Sequence, residues 1–352
     1  MKIGKVKLES PFALAPMAGM TDTAFRRLVK ERGGCGLVVT EMVSSEGLVR
    51  GIDRTLEYAE YTEEERPVSI QIFGGSPHTM SEAAKIVENM GADIVDVNMG
   101  CPVRKIAKHN AGCSLMKDPL HAAKVVRTMS KAVKIPVTVK MRAGWDDSQI
   151  NAPFMARLME DAGASAVAVH GRTAAQSYKG LSDWGLIDEV SHGVSIPVFG
   201  SGDCVTADQL ITKMSKTEVS GILVGRGALR NPWIFRQTMN LDSGVDPYMV
   251  TEKDRGEFLL KYIDMLVNEG VDECAGFRHR VANNERFSFP STKGRERWVV
   301  NKLRALASWY TKGFQGGASL RMSINQAQSI QELRDLVQRF FLEPNPVESL
   351  LP

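Results

Sequence analysis

The sequence predicts an α/β fold, a (β/α)8 barrel of the TIM type, followed by a C-terminal all-helical domain. Eight short runs rich in Val and Ile recur along roughly the first 240 residues, which is the usual size of such a barrel. An amphipathic stretch follows most of these runs, and no further strand-like run occurs after about residue 245. We therefore expect a barrel domain over residues 1–245 and a helical domain over residues 246–352.

The eight predicted strands are apolar along their whole length, which is typical of parallel strands buried on both faces. They are FALAPM (12–17), GLVVTEM (36–42), PVSIQIF (67–73), ADIVDVNM (92–99), IPVTVKM (135–141), SAVAVH (165–170), IPVFG (196–200) and SGILVG (220–225). A doubly wound open sheet is the alternative arrangement of such units. The regularity of eight repeats favours a closed barrel instead.

The predicted helices are recognised by apolar residues at helical spacing. TMSEAAKIVENMGA and ADQLITKM lie between strands, and stretches such as NMGAD end in a glycine that can stop a helix. In the C-terminal part, EFLLKYIDMLVNEG, GRERWVVNKLRALASWYTKG and SIQELRDLVQRFF predict helices with no strand between them.

The composition is that of an ordinary globular protein, with 352 residues, 43% hydrophobic and 24% charged. No apolar run approaches the roughly 20 residues that cross a bilayer, and the N-terminus lacks the apolar core of a signal peptide. We therefore expect a cytoplasmic protein without membrane association. The five cysteines are odd in number and widely spaced, which predicts neither a disulfide framework nor a metal site.

The C-terminal part contains a strongly basic window from Arg278 to Arg321, with ten Lys and Arg residues against two acidic ones. The whole chain has a net charge of only +3. The aromatic residues of this window are Phe287, Phe289, Trp298, Trp309, Tyr310 and Phe314. A basic face that carries aromatic residues is typical of a nucleic-acid-binding surface. The alternative is a solvated helix face whose aromatic residues, such as Trp298, Trp309 and Tyr310, belong to the core.

Polar or reactive residues follow many of the predicted strands at their C-terminal ends, where barrel enzymes carry their active sites. They are Gln71 after strand three, Asn98 and Cys101 after strand four, Lys140 and Arg142 after strand five, and His170 and Arg172 after strand six. Core packing alone does not require residues of these types there.

The last two strands end in glycine-rich segments, FGSGDC and LVGRGAL. In barrels of this class the loops after strands seven and eight often bind a phosphate group. Glycines allow backbone N–H groups to approach the phosphate oxygens, and Arg226 adds a positive charge. The two segments together indicate a phosphorylated cofactor or substrate.

Lys140 and His170 suggest what that cofactor is. A Lys at the end of strand five can face a delocalised anion such as the reduced ring of a flavin, and His170 and Gln71 can hydrogen-bond the same ring. The alternatives are a core histidine at His170 and a Lys140 side chain that reaches solvent. The buried run IPVTV before Lys140 disfavours the second of these.

The motifs APMAGMTD, QIFG, NMGCP, VKMRAGW, HGRT, SGD and GRGAL with NPWIF occur in this order, and the tail carries SWY and LRMSIN. Together they resemble the dihydrouridine synthase family, flavin enzymes that reduce uridines in RNA, usually tRNA. The resemblance covers essentially the whole chain. It implies flavin mononucleotide (FMN) in the barrel, a helical RNA-binding domain and NADPH as the source of electrons.

The resemblance also implies roles for individual residues. Pro16, Met17, Ala18, Gln71, Lys140 and His170 would line the flavin, and Ser201, Gly202, Asp203, Gly225 and Arg226 would hold its phosphate end. Cys101 would be the proton donor. Asn98 and Arg142 would lie near the uracil, with Tyr178 and Lys179 as further substrate-binding candidates.

A thiol suits that role because a cysteine with a pKa near ~8.5 is still protonated at pH 7 and can act as a general acid. Gly100 and Pro102 turn the backbone around Cys101. We expect Cys113, on the same loop, to be a small packing residue, because a Cys101–Cys113 disulfide would remove the acid. Lys108 and His109 lie on that loop, which could close over the substrate.

Several positions depart from the family pattern. Ser201 stands where many members have Asn, and Arg230 interrupts the usual GALGNPW. Ala305 and Leu306 replace a Lys and a His, which puts the usual mode of substrate docking in doubt.

Two other functions remain open at this stage: a flavin barrel that reduces a free pyrimidine or another small enone, and an RNA-binding or RNA-folding protein without turnover. The first leaves the basic window without a role, and the intact set Cys101, Lys140 and His170 argues against the second. The sequence leaves open which uridine is reduced, whether ribosomal RNA is a substrate, and whether NADH replaces NADPH. A monomer would suffice.

Overall fold

The computed structural model describes residues 1–108, 110–269, 271, 273–281 and 292–343. Eight parallel strands form a closed barrel, in which β1 pairs with both β2 and β8 and β2 pairs with β3. The strands are β1 (Phe12–Leu14), β2 (Leu37–Val39), β3 (Val68–Phe73), β4 (Ile94–Met99), β5 (Val137–Arg142), β6 (Ala166–His170), β7 (Val198–Ser201) and β8 (Gly221–Val224). Each predicted run contains one strand, so the barrel prediction is confirmed and the open sheet is excluded.

The helices surround the barrel and continue beyond it. They are α1 (Thr23–Arg32), α2 (Ser45–Val49), α3 (Asp53–Ala59), α4 (Pro77–Asn89), α5 (Arg104–Ala107), α6 (Pro119–Ala132), α7 (Ala152–Asp161), α8 (Trp184–His192), α9 (Ala207–Lys216), α10 (Arg226–Arg230), α11 (Ile234–Asp242), α12 (Glu252–Val267), α13 (Thr292–Tyr310), α14 (Gly317–Gln326) and α15 (Ile330–Phe341). Short 3-10 helices cover Glu63–Glu65 and Gly112–Lys117, and two-residue strands cover Lys2–Ile3, Val6–Lys7, Val43–Ser44, Tyr61–Thr62 and Arg278–His279.

Local sequence explains where the helices begin. Ser76 caps α4, since its side chain accepts a hydrogen bond from the N–H of Thr79, and Pro77 occupies the first turn. Thr206 and Gln209 form a capping box at the start of α9. These caps place each helix directly after the loop that leaves the C-terminal end of a strand.

The inside of the barrel changes character along its length. Near the N-terminal ends of the strands it is apolar, and Ile3 and Leu8 of the N-terminal hairpin pack against inward side chains such as Ile94 and Phe199. Side chains of a strand alternate between its two faces. Asp96 and Asn98 of β4 therefore point into the barrel on the same face as Ile94, closer to the C-terminal end of the strand. The upper half of the barrel is therefore polar.

The C-terminal region is helical over its described residues except for the strand Arg278–His279, which pairs with Tyr61–Thr62. Phe258 of α12 packs against Phe25 of the barrel and stacks on Tyr310 of α13 at 5.6 Å. Helix α14 was not predicted from the sequence. None of the helices in the described ranges is long and apolar enough to span a membrane.

Candidate active site at the C-terminal ends of the strands

The strand register brings the predicted site residues to one rim of the barrel. Asn98 of β4 lies opposite Lys140 of β5, and His170 of β6 lies between Arg142 and Ser201 of the neighbouring strands. Parallel strands of matched register end at the same level, so these side chains share one opening.

The backbone of Cys101 is held from two directions. The side-chain oxygen of Asn98 accepts hydrogen bonds from the N–H groups of Gly100 at 3.1 Å and of Cys101 at 2.9 Å. The N–H of Cys113 donates to the carbonyl of Cys101 at 3.0 Å. The thiol is half-buried, and this burial raises its pKa above the ordinary value, so Cys101 is a neutral thiol at pH 7.

A chain of hydrogen bonds connects Asn98 with the barrel interior. The side-chain N–H of Asn98 donates to Gln71 at 2.7 Å, and Gln71 donates to the carboxylate of Asp96 at 2.6 Å. Thr138 donates to the other oxygen of Asp96 at 2.6 Å. Both ends of the Gln71 amide are therefore engaged within the protein. Sequence reasoning missed Asp96 and Thr138, although Asp96 shares the inward spacing of Asn98 in the run DIVDVNM.

Lys140 is a half-buried cation with no carboxylate at ion-pair distance in the described ranges, although the charge of Asp96 acts on it from further away. Its ammonium group forms no ion pair or hydrogen bond with any residue in the described ranges. Burial and the nearby positive charge of Arg142 lower the pKa of Lys140 to about 8. Such a group is stabilised by any anion that enters the opening.

His170 is a neutral imidazole at the same opening. Burial and the surrounding cations, Lys140 first among them, lower the pKa of His170 to about 2. A guanidinium group of Arg172 lies 3.4 Å from Nε2 and can only donate. The proton of the neutral ring is therefore on Nδ1, which leaves one N–H donor.

Arg142 joins two loops of the rim. Its Nε donates to the carbonyl of Gly100 at 2.8 Å, and its Nη1 donates to the carbonyls of Thr173 at 2.9 Å and Ser177 at 3.0 Å. The loop that carries Cys101 is thereby tied to the loop after β6. Arg142 was predicted to lie near a substrate, and the structure assigns its guanidinium at least this loop-holding role.

The glycine-rich ends of β7 and β8 contain a compact group of charges. Arg172 donates to both carboxylate oxygens of Asp203, at 2.7 and 2.9 Å, and Arg226 lies 3.6 Å from the same group. Although burial acts to raise it, the pKa of Asp203 is held below its usual value by the N–H of Ser182 and by Arg172. The Asp203 carboxylate thus orients two arginines. Arg172 is a site residue that sequence reasoning noted at a strand end but gave no role.

The ends of β1 and β8 leave the backbone accessible. A Cβ atom at Gly225 would lie 3.4 Å from Sδ of Met17 and 3.8 Å from Cβ of Ala15, so the Gly225 backbone lies next to the segment that follows β1. Pro16 and Met17 are half-buried and Ala18 is exposed. Ser201 is buried, and Gly202 adopts a positive φ of 121° that favours glycine.

The comparison with family models is decisive, because residues 13–344 match the model of the dihydrouridine synthase (Dus) family. The chain belongs to the dihydrouridine synthase family. This is a family of oxidoreductases that process tRNA, and the match covers the barrel and most of the helical region.

Individual relatives agree with this assignment. The chain is 35% identical over 343 residues to a probable tRNA-dihydrouridine synthase of Rickettsia bellii, which covers 97% of this chain and 98% of the relative. It is 34% identical over 343 residues to tRNA-dihydrouridine synthase B of Pseudomonas aeruginosa, covering 97% and 96%.

Among solved structures, histamine dehydrogenase from Rhizobium sp. 4-9 has a TM-score of 0.53 and 13% identity. The match covers 74% of this chain and 50% of that chain. At this identity the likeness concerns the fold alone.

In this dihydrouridine synthase fold a lysine of the helical region binds the loop after β1. Lys302 of α13 contacts the carbonyl of Gly19 at 3.2 Å, the carboxylate of Asp22 at 3.1 Å and that of Glu41 at 3.2 Å. Glu41 in turn accepts from the N–H of Gly19 at 2.5 Å. The side chain of Lys302 is only 12% exposed, and sequence reasoning counted it as a surface charge.

Other cations of the basic window are also paired with carboxylates. Arg278 contacts Glu60, Glu269 and Glu273, and Arg295 contacts Glu269 at 2.8 Å. The charge excess of the window is therefore partly neutralised by acidic residues from outside it. Leu306 is buried in the core, so this position does not face RNA, and Ala305 is half-buried.

Four cations at the junction of barrel and helices have a different environment. We call Arg226, Arg230, Lys312 and Arg321 the rim cation cluster. Lys312 lies 4.2 Å and Arg230 6.0 Å from the ring centre of Trp309, and Arg321 donates to Thr311 at 3.1 Å. Within the described ranges, only Arg226 of the four has a carboxylate within 4 Å.

The aromatic and lysine candidates of the rim lie beside this cluster or on the surface. Tyr178 is 61% exposed, and Arg226 lies 4.9 Å from the centre of its ring. Lys179 is exposed. Tyr310 is buried as expected, whereas Trp298 and Trp309 are only half-buried. Phe287, Phe289 and His109 lie outside the described residues.

Of the cysteines other than Cys101, Cys35, Cys113 and Cys204 are buried and Cys274 is exposed. All five are free thiols, and Cys113 is buried with its sulfur 3.9 Å from the carbonyl of Gly144. No group of three or more His, Cys, Asp and Glu side chains suited to a metal ion occurs within the described ranges.

Proposed function

We propose that this protein is an FMN-dependent tRNA-dihydrouridine synthase that reduces the C5–C6 double bond of uridines in tRNA with electrons from NADPH. The observation that carries the proposal is the neutral thiol of Cys101 on the same rim as the cation Lys140 and the neutral imidazole of His170. A proton donor and a site for an electron-rich ring are the two parts that this reaction needs.

The residues at the rim fit a flavin. The ammonium of Lys140 offers the charge that a reduced ring attracts, and Gly225 carries no side chain at the end of β8. Pro16, Met17, Ala18, Gln71, Lys140 and His170 would hold the ring, and Ser201, Gly202, Asp203, Gly225 and Arg226 would hold the phosphate. When bound, FMN supplies the hydride that adds to C6 of the uracil.

Cys101 would donate the proton to C5. Because burial raises the pKa of its thiol, Cys101 carries that proton at neutral pH. Asn98 fixes the backbone from which the thiol projects, and Arg142 fixes the loop beside it. The residues around Cys101 would then contribute to the reaction by holding its S–H group close to C5 of the base.

The proposed roles of the barrel domain and the helical domain follow from the size of the substrate. Residues 1–245 would form the catalytic FMN-binding domain and residues 246–352 the RNA-binding domain. A uridine in folded RNA must leave its stack, at a cost of a few kcal/mol, to enter a barrel opening. Phosphate contacts with the rim cation cluster, together with Tyr178 and Lys179, would offset this cost.

The test compares two cysteines of one loop. We expect Cys101→Ala to lower the rate of dihydrouridine formation in tRNA by about 10²-fold or more, the usual value of a general acid. The variant should remain yellow and should still bind tRNA, while free uridine should be inert with the wild-type protein.

Cys113→Ala is the matched control, because it removes a fully buried thiol from the same loop. It should keep activity within a few-fold of the wild type. Full activity in Cys101→Ala, or a colourless wild-type protein, would disprove the proposed function.

A further inference from the structure

A cavity of about 420 Å³ lies beside the loop of Cys101 and has no role in the site described above. It is open to solvent and is bordered by α5, the 3-10 helix Gly112–Lys117, the start of α6 and the loop after β5. The side chains that matter here are Arg104, Lys108, Lys117, Asp118 and Trp145.

The net charge of this cavity is positive, although its lining includes Asp118 and the charge of Lys117 also acts on Asp146. Arg104, Lys108 and Lys117 are exposed, and none of them has a carboxylate within ion-pair distance among the residues that the structure describes. The acidic residue of the lining, Asp118, accepts a hydrogen bond from the N–H of His121 at the start of α6. Three cations against one carboxylate leave the lining positive, which favours an anion that enters the cavity.

The position of Lys117 over the ring of Trp145 favours the binding of a phosphate in this cavity over the stacking of a base. The ammonium of Lys117 lies 3.6 Å from the ring centre of Trp145 and covers one face of the indole. A base that stacked on this face would have to displace the ammonium and break the cation–π interaction. A phosphate, in contrast, can bind the ammonium of Lys117 while the cation–π interaction with Trp145 stays intact.

The cavity is attached to the catalytic loop at two points. Arg104 follows Cys101 by three residues on one side. On the other side, Trp145 follows Arg142, whose guanidinium binds the carbonyl of Gly100. A group bound in the cavity therefore lies beside the loop that carries the thiol.

We propose that this cavity, the β4–β5 pocket, binds a backbone phosphate of the RNA strand that carries the target uridine. The proposal rests on the proposed function, since it assigns a contact of the same substrate. Phosphate contacts set the register of a nucleic acid on a protein and carry no base sequence themselves. The β4–β5 pocket would thus fix how far the target uridine lies from Cys101, on the side of the opening formed by β4 and β5.

The experiment uses the full-length, flavin-loaded protein and bulk tRNA. The test variant is the double substitution Arg104→Ala and Lys117→Ala, and the control is Lys124→Ala and Lys131→Ala, which removes the same charge from exposed positions of α6. Affinity for tRNA is measured at several salt concentrations. We expect the test variant to bind about tenfold more weakly at low salt, with a salt slope smaller by about 0.7–0.9 for each phosphate that it no longer binds.

The control should bind as the wild type does, and flavin reduction by NADPH should be unchanged in both variants. A wild-type affinity and salt slope in the test variant would overturn the proposal. Slower flavin reduction by NADPH with unchanged tRNA binding would also overturn it, because the pocket would then hold a phosphate of the reductant. If the wild type bound no tRNA, the proposed function itself would fail and the pocket assignment with it. All four substituted side chains are exposed, and thermal unfolding checks that the variants are folded.

Discussion

Two groups of cations in the same basic window have opposite environments. Arg278, Arg295 and Lys302 are paired with carboxylates that belong to other parts of the chain, and Lys302 ties α13 to the loop after β1. Lys312 and Arg321, with Arg230 of α10, lie beside Trp309 or Thr311 without an acidic partner in the described ranges. Arg278 and Lys302 connect the helical region to the barrel, Arg295 pairs within the helical region, and the second group is free to bind an anion.

The difference shows that a count of charges does not distinguish cations that stabilise a fold from cations that bind nucleic acid. A buried ion pair contributes little net free energy, but the removal of one partner leaves the other charge uncompensated. An exposed cation without a partner has almost no effect on stability and a direct effect on affinity for phosphates. The two groups can therefore be separated by measuring stability and RNA affinity on the same variants.

The largest effect is expected for Lys302→Met. Asp22 and Glu41 would be left buried without a counter-charge, so the free energy of unfolding should fall by about 3–5 kcal/mol. Urea denaturation measures this decrease. Lys312→Met, at an exposed position just beyond the end of the same helix, should change stability by less than about 0.5 kcal/mol. Equal decreases in the two variants would contradict the division into two groups.

A smaller effect, on binding, is expected for Arg230→Ala combined with Lys312→Ala. Affinity for tRNA should fall about tenfold, and the salt slope should decrease by about one for each phosphate that the variant no longer binds. Stability should stay near that of the wild type. If this variant were less stable but bound tRNA normally, the rim cation cluster would belong to the structural group.

A third effect, on the pH dependence of stability, is expected for Lys140, a half-buried cation. Its folded-state pKa of about 8 lies below the ordinary lysine value of 10.5, so the unfolded chain binds more protons between these two pH values. Stability contributed by this residue must then rise as the pH increases from about 8 to 10.5, since unfolding takes up protons in that window.

Lys302 serves as the opposite case. Its pKa is raised, with burial opposed by the charges of Asp22 and Glu41, so its contribution is fully present below pH 10.5 and disappears only above it. In the flavin-free protein, wild type should gain stability relative to Lys140→Met between about pH 8 and 10, and should show no such change relative to Lys302→Met. A constant difference from Lys140→Met would mean that Lys140 has an ordinary pKa.

The sequence by itself was sufficient for the barrel, and it placed the candidate site residues at the C-terminal ends of the strands. Each strand of the barrel was identified because its apolar residues are neighbours along the chain, and the site residues because they follow those strands directly. Helix α14 was missed, since the segment GASLRMSINQ has a weak apolar pattern and no capping side chain at its start.

Only the tertiary structure decided which charges have partners. Lys302 and Glu41 are 261 residues apart in sequence, and Gln71 and Asp96 lie on different strands. Sequence patterns report on burial and on local periodicity, because these depend on near neighbours. The partner of a charged or polar side chain depends on which distant elements the closed barrel and its helices bring within about 3 Å, the length of a hydrogen bond.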